Sequence, residues 1–246
     1  MNRYQILIEY DGTNFFGWQT QKKGSTVQKL VQSIIAKILK EKINLIGSGR
    51  TDAGVHAWQQ SAHFDCKKKI ENLDKFVKSI NYFLNDNLIS ILSIKKRNLY
   101  FHARYSAKKR IYKYIIFNRK SKPSIYKERG WHISNKLDIN LMRKGAKKLL
   151  GTNDYSTYRA SSCNAKSPIK SIKLIKIRKA NNIIYIKFQS QSFLQQQVRS
   201  MVGCLKYLGE GKWNLKKFVR VFKVKKRILC APPAPPNGLY LEKVIY

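Results

Sequence analysis

The chain has 246 residues, with 50 Lys plus Arg against 13 Asp plus Glu and a formal charge of +37. At roughly 150 residues per domain this allows one or two domains, and 43% hydrophobic residues exclude a disordered basic tail. Four cysteines are too sparse for a disulfide scaffold and, without a CxxC pair, give no zinc pattern; the polar start Met1-Asn2-Arg3 and the lack of an apolar run of about 18 residues lead to the expectation of a soluble cytoplasmic protein with no signal peptide, membrane span or membrane contact.

The predicted elements follow in order. Alternation over Tyr4–Tyr10 predicts a strand ended by Asp11-Gly12. Ser25-Thr26-Val27-Gln28 has the pattern of a capping box at a helix start. Val27, Leu30, Val31, Ile34, Ile35, Ile38 and Leu39 then form one helical stripe. A short strand at 44–46 is broken by Gly47-Ser48-Gly49, and Trp58–Phe64 is a further strand. Leu73, Phe76, Val77, Ile80, Phe83 and Leu84 mark a second helix, followed by a strand at Ile89–Ile94. This order, βαββαβ, is the ferredoxin-like or split βαβ unit.

The second half repeats the pattern. It has a strand at Ile111–Phe117, a helix face of Ile139, Met142, Ala146, Leu149 and Leu150 capped by Gly151, and a hairpin turning at Asn181-Asn182. A helix follows through Leu194, Val198, Met201, Val202 and Leu205, then one over Leu215–Phe222, and a last strand from Leu239 to Tyr246. The predicted fold is α+β. Two ferredoxin-like or RRM-like βαββαβ units are expected to form a pseudo-symmetric mixed sheet around a central cleft. Residues 1–103 form the N-terminal domain and 104–246 the C-terminal one. Ala231-Pro232-Pro233-Ala234-Pro235-Pro236 reads as a stiff connector.

Basic clusters recur at Lys67-Lys68-Lys69, Lys95-Lys96-Arg97, Lys108-Lys109-Arg110 and Lys225-Lys226-Arg227. Aromatics interleave with cations in Arg110-Ile111-Tyr112-Lys113-Tyr114, which suits bases stacking beside phosphates. The charge points to a polyanion partner; a lysine-rich compositional bias is the competing explanation. RNA binding predicts affinity that falls steeply with salt.

Gly47-Ser48-Gly49-Arg50-Thr51-Asp52-Ala53-Gly54-Val55-His56 packs three glycines, an arginine and an aspartate into a turn between strands. Asp52, beside a cation, is expected to stay ionised. It is a candidate nucleophile or base; the alternative is an aspartate that only closes a turn.

This decapeptide resembles the catalytic loop of the tRNA pseudouridine synthase A (TruA) family, whose pattern is G-R-T-D-A-G-V-H. The resemblance continues through Glu9-Tyr10-Asp11-Gly12, Phe16-Gly17-Trp18-Gln19, Phe101-His102-Ala103-Arg104 and Tyr112-Lys113-Tyr114. It extends to Arg159-Ala160, Phe193-Leu194, Val198-Arg199, Met201-Val202-Gly203 and Gly238-Leu239-Tyr240-Leu241. It implies an isomerase that converts uridine to pseudouridine at tRNA positions 38, 39 and 40 in the anticodon stem-loop. The N1–C1′ bond breaks, the uracil turns and C5 joins C1′, so no cofactor or metal is implied. A homodimer is implied as well.

By motif match, Asp52 is the catalytic aspartate, either as nucleophile or by removing a sugar proton. Arg50 helps hold the target nucleotide out of its stack, against a flipping cost of a few kcal/mol. Tyr112 stacks on the uracil and assists loss of the C5 proton, and Arg199 pairs with the aspartate. Arg104 and Arg159, in matched motifs, are candidate substrate contacts. The family's His is absent from Gln195-Gln196-Gln197. His56 and His102 are read as structural hydrogen-bonding groups. Phe16 and Trp18 either line the RNA face or pack under the first helix. The competing function is a non-catalytic RNA-binding or tRNA chaperone protein on the same scaffold.

Overall fold

Alternation in the first strand decides where the first core lies. Strand β1 (Asn2–Tyr10) turns Tyr4, Ile6, Ile8 and Tyr10 inward, and all four are buried. Burying each such side chain contributes about 1.5–3 kcal/mol. The computed structural model describes Met1–Tyr246 and divides into two units, Met1–Lys108 with Tyr240–Tyr246, and Lys109–Leu239.

In the first unit, α1 (Val27–Leu39) follows β1, then β2 (Ile46–Gly47), β3 (His56–Cys66), α2 (Leu73–Leu84) and β4 (Ile89–Arg97). β1 pairs antiparallel with β3 on one side and β4 on the other. β2 and the final strand β10 (Leu239–Ile245) share the far edge of β3. β2 lies antiparallel at Ile46↔His63, whereas β10 lies parallel at Tyr240↔His56. This pairing takes the last strand back to the first unit, in place of a single cut between residues 103 and 104. A parallel partner so distant in sequence leaves no local signal.

The capping box is not formed. Thr26 is the N-cap residue but makes no side-chain cap bond. Its hydroxyl is buried without a hydrogen-bond partner. The Val27 and Gln28 amides donate instead to the carbonyls of Gly17 and Trp18, at 3.3 and 3.0 Å. The Trp18 carbonyl thus takes the Gln28 amide that a box would have satisfied. Gln28 accepts from the Thr20 amide and donates to the Leu45 carbonyl.

The second unit runs β5 (Lys109–Asn118), β6 (Trp131–Ile133), α3 (Ile139–Lys148), β7 (Gly151–Asp154), β8 (Ile169–Ala180), β9 (Ile183–Ser190), α4 (Gln197–Gly209) and α5 (Leu215–Val224). Its sheet order is β5-β9-β8-β7, with β6 parallel to β5. Asn181, in the left-handed region at φ 51°, turns the β8–β9 hairpin. Short strands β6 and β7 lack an alternation long enough to read from sequence. The fold is mixed α+β with pseudo-symmetric topology: the path β1-β3-β2 in the first unit corresponds to β5-β9-β8 in the second.

Candidate active site

The loop between β2 and β3 is fixed along its whole length by the polypeptide around it. At its start, the Ser48 amide donates to the Ser61 carbonyl at 2.7 Å, and the Ser48 hydroxyl donates to Gln60 Oε1 at 2.7 Å. Gln60 Nε2 donates to the Gly49 carbonyl at 2.8 Å. In the middle, the Trp18 amide donates to the Thr51 carbonyl at 3.1 Å, and the Thr51 and Tyr10 hydroxyls are 2.8 Å apart in a buried pair. The Val55 amide closes the turn on the Asp52 carbonyl at 3.2 Å.

At its end, His56 Nδ1 lies 3.0 Å from the Gly12 amide and 2.9 Å from Asp11 Oδ1. The His56 ring stacks on Tyr240, with centroids 4.7 Å apart. A Cβ on Gly12 would stand 2.0 Å from the Val55 carbonyl oxygen, so only glycine lets the Asp11-Gly12 turn lie against the loop. Glu9-Tyr10-Asp11-Gly12 thus acts as a brace for the Asp52 loop. Tyr10 and Gly12 were visible in sequence as motif members, but their bracing role was not.

Within this frame Asp52 is half-buried and Arg50 is exposed. Thr51 between them is buried, so the loop offers a carboxylate and a guanidinium while its central hydroxyl faces the core. Trp18 is buried and its ring lies 6.1 Å from that of Tyr10, whereas Phe16 is exposed. Packing is therefore the role of Trp18.

Arg104, also in the first unit, is exposed, with its guanidinium 5.7 Å from the Tyr105 ring centre. The segment leading to it is clamped from two sides. Arg3 grips Asp65 with two bonds of 2.7 Å and donates to the Leu99 and Phe101 carbonyls. His63 Nδ1 accepts the Ala103 amide at 3.1 Å. Burial, with the charge of Arg3 and the neighbouring His102, lowers the His63 pKa to about 4. His102 Nδ1 accepts the Arg104 amide at 3.1 Å, a structural bond as expected from sequence.

The other three candidate residues belong to the second unit. Tyr112 and Tyr114 share one face of β5 and are both buried. The Tyr112 ring meets Phe193 edge-on at 5.3 Å. Tyr114 donates to the Pro235 carbonyl at 2.8 Å. Burial raises its pKa well above the usual phenol range, against the opposing charge of Arg199. Arg199 is half-buried on α4; its Nε donates to the Ala234 carbonyl at 2.8 Å, and the Ala234 amide returns a bond to the Arg199 carbonyl at 3.0 Å. The proline-rich segment is thus more than a connector: it holds the Nε edge of the Arg199 guanidinium.

Arg159 turns onto its own loop, donating to the carbonyls of Cys163 and Ala165. In the Gln195–Gln197 segment, Gln196 takes a left-handed backbone at φ 59° and Gln197 Oε1 accepts the Leu194 amide at 2.7 Å. Arg110, read from the sequence as part of a basic, aromatic-interleaved run suited to phosphates, is instead buried and donates to the Gln191 carbonyl, fixing the turn before α4. No three His, Cys, Asp or Glu side chains gather to hold a metal ion, and no helix is long and apolar enough to cross a membrane.

A family model described as tRNA pseudouridine synthase matches residues 6–106 and 146–246. The tRNA pseudouridine synthase A of Pelagibacter ubique (strain HTCC1062) is 72% identical over 246 residues, covering 100% of both chains. That of Thermoanaerobacter sp. (strain X514) is 42% identical with the same coverage. That of Paramagnetospirillum magneticum (strain ATCC 700264 / AMB-1) is 40% identical over 100% of this chain and 96% of the relative. The chain belongs to the tRNA pseudouridine synthase family. It is an isomerase acting on tRNA, forming pseudouridine from uridine.

Proposed function

We propose that this isomerase modifies uridines 38, 39 and 40 of the tRNA anticodon stem-loop, with Asp52 as the catalytic carboxylate. The observation that carries the reading is the braced loop: its backbone is held at Ser48, Gly49, Thr51 and Val55, while Asp52 is left half-buried. Fixing a reacting group before substrate arrives removes reorganisation from the barrier. The two units are ferredoxin-like, and the working form is a cytoplasmic homodimer with a catalytic cleft lined by the matched motifs.

The chemistry balances without an added group. The N1–C1′ bond breaks, C5 bonds to C1′, and the proton on C5 leaves to solvent as one returns to N1. Asp52 meets the sugar or the base, Arg50 helps hold the target nucleotide out of its stack, and Tyr112 stacks on the uracil and assists loss of the C5 proton. In the family motif Arg199 is the arginine paired with the catalytic aspartate. Arg104 contacts phosphate from an exposed position. Arg159 contributes by holding its loop at Cys163 and Ala165 rather than by a free guanidinium.

The test uses purified protein, unmodified tRNA and carbodiimide mapping of pseudouridine. Asp52→Asn is expected to lose at least about 10³-fold in turnover, with tRNA affinity within about twofold of the parent. Unchanged turnover removes Asp52 from the chemistry; modification outside positions 38–40 overturns the assigned target.

A further inference from the structure

The segment 230–234 runs along α4 in close register with it. Cys230 meets Cys204, Pro232 meets Gly203 and Ala234 meets Arg199. The contact at Gly203 is tight enough that a Cβ there would stand 2.1 Å from the Pro232 carbonyl oxygen. At the start of this run the Cys204 and Cys230 sulfurs are 3.5 Å apart, both as free thiols. The pair has one open side: Cys204 is buried, whereas Cys230 is half-buried.

We propose that Cys204 and Cys230 form a reversible oxidation site, which a hydroperoxide converts into an intramolecular disulfide tying segment 230–234 to α4.

The surroundings suit the two halves of the reaction. Arg227 donates to the Ser200 hydroxyl at 2.8 Å, holding a positive charge beside the pair. Cys230 has its pKa lowered, by the hydrogen bond from Cys204 and by that charge; Cys204 is pushed up by the same bond and by burial. The partly exposed sulfur is thus the one inclined to ionise, and the deep one stays protonated until needed. The Tyr158 hydroxyl is buried without a hydrogen-bond partner and lies within electrostatic reach of both sulfurs.

In the first step the Cys230 thiolate attacks one peroxide oxygen and the O–O bond breaks. The departing oxygen takes a proton and leaves as water or an alcohol, giving a sulfenic acid on Cys230. In the second step the Cys204 sulfur attacks that sulfur, losing its proton as the hydroxyl leaves as water. The two thiols together lose two electrons and two protons, and the peroxide gains both pairs. The sulfurs must approach from 3.5 Å to a bond of about 2.05 Å, which side-chain rotation at the start of the segment can supply. A dithiol reverses the reaction by exchange. None of this depends on the roles given to Asp52 or Arg199.

Cys66 is an internal control. The Cys66 thiol donates to the Lys68 carbonyl at 3.1 Å, and burial pushes its pKa up to about 11. The experiment treats the folded full-length protein with hydrogen peroxide, alkylates in denaturant and maps the peptides. Free thiols are expected to fall from four to two per chain, with a Cys204–Cys230 cross-linked peptide that dithiothreitol removes. Cys230→Ser, at the more exposed position, is expected to abolish the cross-link and leave Cys204 alkylated. The proposal is overturned if Cys230 goes to sulfinic acid while Cys204 remains a thiol, if any other pair cross-links first, or if circular dichroism shows folded protein and all four thiols survive.

Discussion

Two regions of this molecule hold a charged side chain ready by the same device, turned to different ends. In the Asp52 loop, Gly12 lets a neighbouring turn close on the Val55 carbonyl, 2.0 Å from where a Cβ would be. On α4, Gly203 lets the proline-rich segment close on the helix through the Pro232 carbonyl, 2.1 Å from where a Cβ would be. In the first case the approached carbonyl is part of the proposed catalytic loop itself. In the second it belongs to a segment that then reaches Arg199, through the Ala234 carbonyl at 2.8 Å. The loop is held by backbone and side-chain bonds spread over Ser48, Gly49, Thr51 and Val55, whereas the helix-borne guanidinium is held to the proline-rich segment at its Nε. Damage to the first region should therefore remove activity and stability together; damage to the second should lower activity more than stability.

The largest effect is expected from Gly12→Ala. The added carbon meets backbone rather than a flexible side chain, so the turn and the loop must part. A loss of roughly 3 kcal/mol is expected, seen as a fall in Tm of about 6–12 °C. Pseudouridine formation should fall at least about 10²-fold at a temperature where the variant is still folded. If Gly12→Ala costs stability but turns over normally, the loop does not depend on the Asp11-Gly12 brace, and the comparison fails at its first term.

Arg199→Lys tests the second term. An ammonium cannot keep the Nε bond to Ala234 and present terminal nitrogens at the same time. Loss of the Nε bond should cost about 1 kcal/mol of stability, while kcat falls about 10–100-fold and KM for tRNA moves by less than about threefold. A loss confined to KM would make Arg199 a phosphate contact instead of a group acting in the chemical step.

The contrast also explains what was legible in the amino-acid sequence. Asp52 and Arg50 stand in one unbroken decapeptide, and the strands and helices around them have long periodic patterns such as Tyr4–Tyr10 and Val27–Leu39. The alternation of β1 and the stripe of α1 are local properties, and both elements are found where the pattern places them. What was not legible is contact between distant segments. Pairing of β10 with β3 joins Tyr240 to His56 across most of the chain. The amides at the start of α1 are taken by Gly17 and Trp18 rather than by the Ser25–Gln28 pattern, because tertiary partners displaced the local cap. Segment 231–236 reads as a spacer from its prolines, and only its carbonyls, which no side-chain pattern reveals, show it as the seat of Arg199 and Tyr114.

The smallest expected effect concerns the first unit and its response to acid. His63 is paired across from Ile46 at the root of the Asp52 loop, and its Nδ1 accepts the Ala103 amide at 3.1 Å, next to Arg104. That nitrogen can accept only while unprotonated. Its pKa in the folded chain, about 4, is below the ordinary value of 6.5 because the ring is buried and faces Arg3 and His102. Between these values the unfolded chain binds the proton and the folded one does not, so stability rises with pH through this window. The contribution is complete above about pH 6.5 and is lost as pH falls towards 4. Its size is bounded by roughly 3 kcal/mol, and about 1–2 kcal/mol is expected once water reaches the ring in partly opened states. Urea unfolding of the parent and of His63→Gln at pH 7, 5.5 and 4.5 measures it. The parent should lose more stability than the variant across that range, since glutamine keeps an acceptor for the Ala103 amide but takes up no proton. Parallel curves would mean that His63 is protonated alike in both states, and that the acid sensitivity of this unit comes from the Arg3–Asp65 pair on the same strands.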